Sequence, residues 1–254
     1  MPKFAANLSL LFTELPLMDR FRAAKEAGFD AVEILSPYDA PAQDMRDQLV
    51  WNAQTFVLMN APPPNATGGP RGFAAVPGGE NRFRRDFDRA MRFAGVLKPR
   101  HIHVMAGEAS GPEARATMIA NLQWAASRAP KQSLTVEPLN PVDFPGYFLN
   151  DYALAADILD AVAARNVGLQ FDTYHAGMIH GDAKAVWATQ GHRARHIQIG
   201  SVPGRQEPDQ GAFDFPAFFQ RLDNEGYAGF VSAEYRPRGR TEDGLGWLRT
   251  ATKP

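Results

Sequence analysis

The chain has 254 residues, with 27 Lys and Arg against 28 Asp and Glu, a formal net charge of −1 and no cysteine. That balance lacks the basic excess that neutralises nucleic-acid phosphates. Without thiols there is no disulfide scaffold, Cys-ligated zinc, iron–sulfur cluster or thiol nucleophile, so any metal must be held by oxygen or imidazole. The opening MPKFAANLSLLF has no basic stretch leading into a long apolar core, and no window approaches about eighteen apolar residues, so a soluble, cytoplasmic protein with no membrane partner is expected.

Short β-rich runs alternate with amphipathic segments from end to end. The first candidate strand, Phe4–Leu10, precedes a helix whose Leu17, Phe21 and Ala24 share a face and which Gly28 stops. Strands Ala31–Leu35 and Thr55–Asn60 follow. Residues 61–80 then hold five Pro and five Gly, which makes them a loop. The 82–92 stretch, RFRRDFDRAMR, reads as a solvated helix face. After strand His101–Met105, Ser110-x-x-Glu113 reads as a capping box with Pro112 in the first turn. Strand Leu134–Glu137 leads to a stripe of Leu154, Ala155, Ile158, Leu159 and Val162 behind an Asn150-Asp151 cap. Strands Val167–Asp172 and His196–Ile199 come next, then a second Gly/Pro excursion at 200–213. Phe215, Phe218, Phe219 and Leu222 line a helix behind Asp214, and Phe230–Glu234 is the eighth strand.

Strand–helix units about 30 residues apart predict a parallel sheet. A doubly wound sheet usually carries a Gly-rich phosphate turn after its first strand. Here that place reads Ser9-Leu10-Leu11-Phe12-Thr13, with no GxGxxG or P-loop anywhere. A single (β/α)₈ TIM barrel spanning 1–254 is therefore the expected fold, with insertions 61–80 and 200–213 at its C-terminal mouth, where substrate sites lie.

The later strands end in oxygen-bearing side chains: Glu137 before Pro138, Asp172, Gln198 and Glu234. On a barrel all four would converge on one mouth. Three unneutralised carboxylates there would drive one another's pKa values upward, and a divalent cation resolves the conflict. Oxygen ligands point first to Mg²⁺ or Mn²⁺, with Co²⁺, Zn²⁺ or Ca²⁺ as alternatives. Acidic residues that merely cap helices or pair with Lys and Arg are the bland alternative for any one of them. His175 stands just beyond a strand end, placed to hydrogen-bond a substrate hydroxyl or a ligand carboxylate. His101, His103 and His196 read as barrel-interior or packing residues, His180 and His192 as loop or surface residues, and Glu33 as a structural hydrogen-bonding group. Arg71 and Arg205, each in a Gly/Pro loop, suit a substrate carboxylate, which a guanidinium binds bidentately.

These residues carry a resemblance. Asn7-Leu-Ser-Leu-Leu-Phe12, Phe56-Val-Leu-Met-Asn-Ala-Pro62, His103-Val-Met-Ala-Gly107, the block running from Val136-Glu-Pro-Leu-Asn to Gly146-Tyr-Phe148, Asp172-Thr-Tyr-His175, His196-Ile-Gln-Ile199, Val202-Pro-Gly-Arg205 and Glu234-Tyr-Arg-Pro237 resemble the hydroxypyruvate isomerase family. That family belongs to the xylose-isomerase-like TIM barrels and includes the 2-oxo-tetronate isomerases. The resemblance covers essentially the whole chain. It implies a metal site of Glu137, Asp172, Gln198 and Glu234, with Glu137 and Glu234 as the proton donor/acceptor pair. It also implies substrate contacts from His175, with Arg205, Arg71 and Asn60 as further substrate-binding candidates. Gln198 stands where sugar epimerases of the wider superfamily carry a metal-binding His, which favours the hydroxypyruvate isomerase branch.

The implied reaction interconverts hydroxypyruvate and tartronate semialdehyde by proton transfer through a metal-stabilised enediolate, in a protein whose partner is a small oxo-acid or sugar acid. A homo-oligomer is left open. A 2-oxo-tetronate isomerase or another short-chain isomerase or epimerase is the alternative, and a non-catalytic sugar-acid-binding barrel a remote one. Residues 63–72 and the pair Gly200-Ser201 depart from the family's pattern, which bears on substrate identity and leaves the ligand set intact. No extra Asp-x-Asp or His cluster is visible for the second metal of a hydride-shift isomerase or the several metals of a DNA phosphodiesterase.

Overall fold

A computed structural model describes residues 1–61 and 71–252. Its strands are β1 (Lys3–Asn7), β2 (Ala31–Glu33), β3 (Thr55–Phe56), β4 (Leu58–Ala61), β5 (His101–Val104), β6 (Ser133–Val136), β7 (Val167–Asp172), β8 (Ala194–Ile199) and β9 (Phe230–Ala233). They pair in parallel in the order β3-β2-β1-β9-β8-β7-β6-β5-β4. β3 and β4 are halves of one expected strand, divided at Val57. The Val57 N–H donates to the Val32 carbonyl, and the Val57 carbonyl accepts from the His101 N–H, both at 2.8 Å. The strand thus changes partner midway, and the sheet closes through it as the barrel the sequence predicts.

Around it lie α1 (Leu17–Glu26), α2 (Ala42–Trp51), α3 (Glu80–Leu97), α4 (Gly111–Arg128), α5 (Tyr152–Val162), α6 (Thr173–His180), α7 (Ala183–Gln190), α8 (Phe215–Asn224) and α9 (Gly246–Ala251). Asp151 caps α5, accepting from the Ala153 and Leu154 N–H groups, and Asp214 caps α8 through the Ala217 N–H. Such a cap is worth about 1 kcal/mol. Among the described residues no helix is long and apolar enough to cross a membrane.

Two local expectations need correction. The first strand stops at Asn7, because the Asn7 carbonyl accepts the N–H groups of Leu10 and Leu11 and turns the chain. At the start of α4 the Ser110 hydroxyl makes no cap bond, and Gly111 enters at φ +84°, so the capping box is not formed. Of the 61–80 insertion, 62–70 lies outside the described residues. The remainder packs closely on the segment after β5: a Cβ on Gly72 would stand 2.2 Å from the Met105 carbonyl oxygen, and one on Gly107 2.3 Å from that of Gly72. Only glycine allows this approach, which fixes where Arg71 sits.

Strand side chains alternate faces. Ile102, Val104, Leu134, Val136, Leu169, Phe171, Ile197, Ile199 and Val231 point outward into the core beneath the helices. The inward set is polar: Asn7, Glu33, Thr135, Gln170, His196, Gln198 and Ser232 are all buried and hydrogen-bonded within the barrel. Many TIM barrels fill this space with aliphatic layers. Here a small apolar layer of Ala5, Ala31, Leu58 and Phe230 is joined by a hydrogen-bonded polar network, and the network forms the floor beneath the carboxylates.

His101, low in the barrel, shares a 2.9 Å hydrogen bond with Ser133. Burial, then the neighbouring His196, Arg195 and Arg100, push its pKa down to about 3. A folded-state pKa below the unfolded value means stability is complete above about pH 6.5 and is lost as pH falls toward 3. Urea-unfolding midpoints are expected to drop over that window, and less steeply in His101→Gln; equal slopes would refute the assignment.

Candidate active site

The mouth is built by strand ends. Glu137 follows β6, held extended by Pro138. Asp172 ends β7 and caps α6, its carboxylate accepting from the Tyr174 N–H at 2.8 Å. Glu234 follows β9. All three are buried. One guanidinium faces them: Arg205 donates to Asp172 Oδ2 at 3.0 Å and to Glu234 Oε1 at 2.7 Å. Its placement is fixed by its own backbone, where the Arg205 N–H donates to the Ser201 carbonyl and the Arg236 N–H donates to the Arg205 carbonyl. Its guanidinium carbon lies 5.2 Å from the Tyr174 ring centroid.

One cation does not balance three carboxylates. Burial, and then the charges of Glu234 and Asp172, hold Glu137 well above the ordinary carboxylate range. Burial likewise raises Glu234, with Asp172 adding to it and Arg205 only partly offsetting it. Asp172 is lifted by burial to about 6, although Arg205 and the amides of Tyr174 and His175 favour its charge. Glu137 Oε1 and Glu234 Oε2 are buried without a hydrogen-bond partner among the described residues. Unpartnered acceptor oxygens beside uncompensated negative charge fit a hard divalent cation.

One ligand atom each from Glu137, Asp172 and His175 lies within 4.8 Å of the others, so this buried group could hold a metal. The histidine's tautomer bears on its part. The Asn140 backbone N–H donates to His175 Nδ1 at 3.0 Å. A backbone N–H is only ever a donor, so Nδ1 presents its lone pair and the neutral ring carries its proton on Nε2. Burial, with Arg205 and His103 acting in the same direction, keeps that ring neutral. Nε2 faces the mouth, 3.8 Å from Asp172 Oδ2, where its N–H can donate.

Above the carboxylates lies a cavity of about 140 Å³, whose lining includes Asn60, Arg71, His103, Glu137, His175 and Glu234. A larger space of about 660 Å³ opens on the outside of the barrel by α8 and α9, and none of these residues lines it. Asn60 Oδ1 is 3.2 Å from His103 Nδ1. The Arg71 guanidinium lies 4.2 Å from the centroid of Phe144, whose ring is 5.6 Å from His175. Arg205 also lines the cavity, yet it is already tied to Asp172 and Glu234 and so is not a free clamp for a substrate carboxylate. Gln198 does not line it: its amide bridges Glu33 and Gln170 inside the barrel. Gln170, which donates to Glu137 Oε2 at 2.8 Å, and Asn140 belong to the site and were missed from sequence. Gln170 could have been found, since it lies two residues before Asp172 and so shares its face of β7.

The family model of the xylose isomerase-like TIM barrel matches residues 21–251. The chain belongs to that family. It is 44% identical to a 2-oxo-tetronate isomerase of Cupriavidus necator, with 98% of each chain covered. It is 34% identical to the hydroxypyruvate isomerase of Escherichia coli, again over 98% of both. Among solved structures, one described as an AP endonuclease, family 2, from Brucella melitensis shares 42% identity and a TM-score of 0.94, covering 98% of this chain and 99% of that one.

Removing Arg205 tests the charge balance. In Arg205→Met the buried carboxylates lose their one paired cation, and the unfolding free energy in EDTA is expected to fall by about 3 kcal/mol. Chemical denaturation checks it, and an unchanged midpoint would show that the guanidinium does not stabilise the cluster.

Proposed function

We propose that this chain is an isomerase that exchanges a carbonyl and a hydroxyl between C2 and C3 of a short oxo-acid, with hydroxypyruvate and tartronate semialdehyde as the pair. The observation that carries this reading is the pair of carboxylates facing one small cavity, Glu137 and Glu234, each with a buried oxygen left unpartnered among the described residues and each with raised proton affinity. Glu137, Asp172, Gln198 and Glu234 would hold a divalent cation, Mg²⁺ or Mn²⁺, which when bound supplies positive charge where the substrate oxygens become negative.

The protein's own residues do the rest. One glutamate takes the proton from C3, and the electron pair moves into a C2–C3 double bond, giving an enediolate. The other glutamate delivers a proton to C2, while the hydroxyl proton passes from the C3 oxygen to the C2 oxygen. Two carboxylates serve as base and acid when their surroundings hold them in different protonation states. The His175 Nε2–H is placed to donate to a substrate oxygen. Arg71 at the rim suits the substrate carboxylate, and Asn60 a hydroxyl. A cavity of about 140 Å³ favours a short acid.

The 44% identity to a 2-oxo-tetronate isomerase favours a second reading, in which C3 carries a hydroxymethyl group. The bonds that break and form are the same. Cleavage of DNA, which the Brucella protein's description suggests, is less well supported: a chain of net charge −1 has no overall basic excess for phosphates.

Hydroxypyruvate and 2-oxo-tetronate should be assayed side by side with Mg²⁺ and Mn²⁺. Turnover is expected with at least one of them, and in Glu137→Gln or Glu234→Gln kcat should fall by roughly 10²–10⁴-fold. Full activity in both variants would remove the catalytic assignment. Stripping divalent ions with EDTA should abolish turnover and adding Mg²⁺ or Mn²⁺ restore it; undiminished turnover in EDTA would remove the metal from the reading.

A further inference from the structure

Glu33 lies at the bottom of the polar network, fully buried, and takes no part in the chemistry above. Its two carboxylate oxygens face four side chains: Asn7 Nδ2 and Gln198 Nε2 at 2.8 Å from Oε1, and His196 Nε2 and Ser232 Oγ at 2.7 Å from Oε2. The direction of donation can be read outward from a fixed point. The Ser9 backbone N–H donates to Asn7 Oδ1 at 2.9 Å, so Asn7 must turn its NH₂ toward Glu33, and Glu33 accepts. An acceptor at that oxygen also requires the NH₂ of Gln198. The Gln198 amide is thereby oriented with Oε1 on its far side, where it accepts from Gln170 Nε2 at 2.7 Å. Gln170 in turn donates to Glu137 Oε2 at 2.8 Å and accepts the Thr135 hydroxyl at 3.0 Å.

The two ends of a glutamine amide have opposite polarity and nearly the same shape, so packing alone chooses poorly between them. A cation makes the choice matter: Oε1 attracts it, whereas the NH₂ repels it. We infer that Glu33 is a positioning residue that sets the amide of Gln198 with its oxygen on the side of Gln170, the residue that donates to Glu137, in the orientation that a cation ligand requires. The inference rests on the reading of Gln198 as a ligand. Sequence proximity gives no hint of it: Glu33 is on β2 and Gln198 on β8, 165 residues later, and β1 and β9 lie between them in the sheet.

The test is Mn²⁺ binding, followed by titration calorimetry on the full chain, in four proteins: wild type, Glu33→Gln, Gln198→Ala and the double variant. Glu33→Gln is expected to weaken Mn²⁺ binding by about 10–100-fold. On the Gln198→Ala background the same change should alter affinity less than about twofold, because its target has gone. A folded Glu33→Gln that binds Mn²⁺ like wild type overturns the inference, and so does an equal loss on both backgrounds, which is what a merely structural role would give. Failure of the underlying reading looks different: wild type then binds no Mn²⁺, or Gln198→Ala binds it as well as wild type.

Should Glu33→Gln fail to fold, wild-type protein labelled at glutamine with ¹³C and ¹⁵N supplies the answer. On adding Mg²⁺ the Gln198 carbonyl carbon is expected to shift while its NH₂ protons stay protected from exchange. NH₂ protons that become exchangeable would overturn the inference, and an unshifted carbon would remove the reading of Gln198 as a ligand on which it rests.

Discussion

Three buried carboxylates facing one guanidinium are the constraint on which the rest of this structure depends. Glu137, Asp172 and Glu234 are drawn to one mouth by parallel strands that end in register, and burial denies them water. An isolated carboxylate in such a place would take up a proton or be strongly destabilising. The protein answers with partial compensation: Arg205 bridges Asp172 and Glu234, Gln170 donates to Glu137, and one oxygen each of Glu137 and Glu234 is left without a partner among the described residues. Incomplete neutralisation suits both a cation site and groups meant to exchange protons.

The polar hollow of the barrel follows from the same constraint. Aliphatic layers would pack well under a site of any chemistry but could not orient an amide. Here strands present apolar side chains to the helices and, above a small apolar layer, polar side chains to the axis, and a chain of hydrogen bonds runs from Asn7 and Glu33 up to Gln170 and Glu137. A buried polar network of this kind is favourable only when its members are satisfied. The price is sensitivity: loss of one member leaves several donors without acceptors.

Much of the fold could be read from period alone, since alternating β-rich runs and 3.6-residue stripes are local properties of the chain. The misjudged details are those set by three-dimensional partners. Val57 divides a strand because β2 and β5 compete for its two sides, and Ser110 fails as a cap because Gly111 enters α4 at a positive φ. In the site, Glu137, Asp172 and Glu234 were legible because each stands at a strand end. Arg205 was legible as a residue of the mouth, but its engagement with Asp172 and Glu234 was not. Gln170, Asn140 and the role of Glu33 depend on contacts between distant strands and loops, which no local pattern encodes. The tautomer of His175 likewise needs a backbone N–H from 35 residues earlier.

The central claim is that Glu137 and Glu234 carry protons between adjacent carbons of the substrate. Isomerisation run in D₂O, with the product examined by NMR and mass spectrometry, tests it most directly. Proton transfer through these carboxylates predicts solvent deuterium on the newly formed C–H bond. A product that keeps the substrate's own hydrogen there, with no deuterium from solvent, would instead indicate a direct shift between the carbons and contradict the claim.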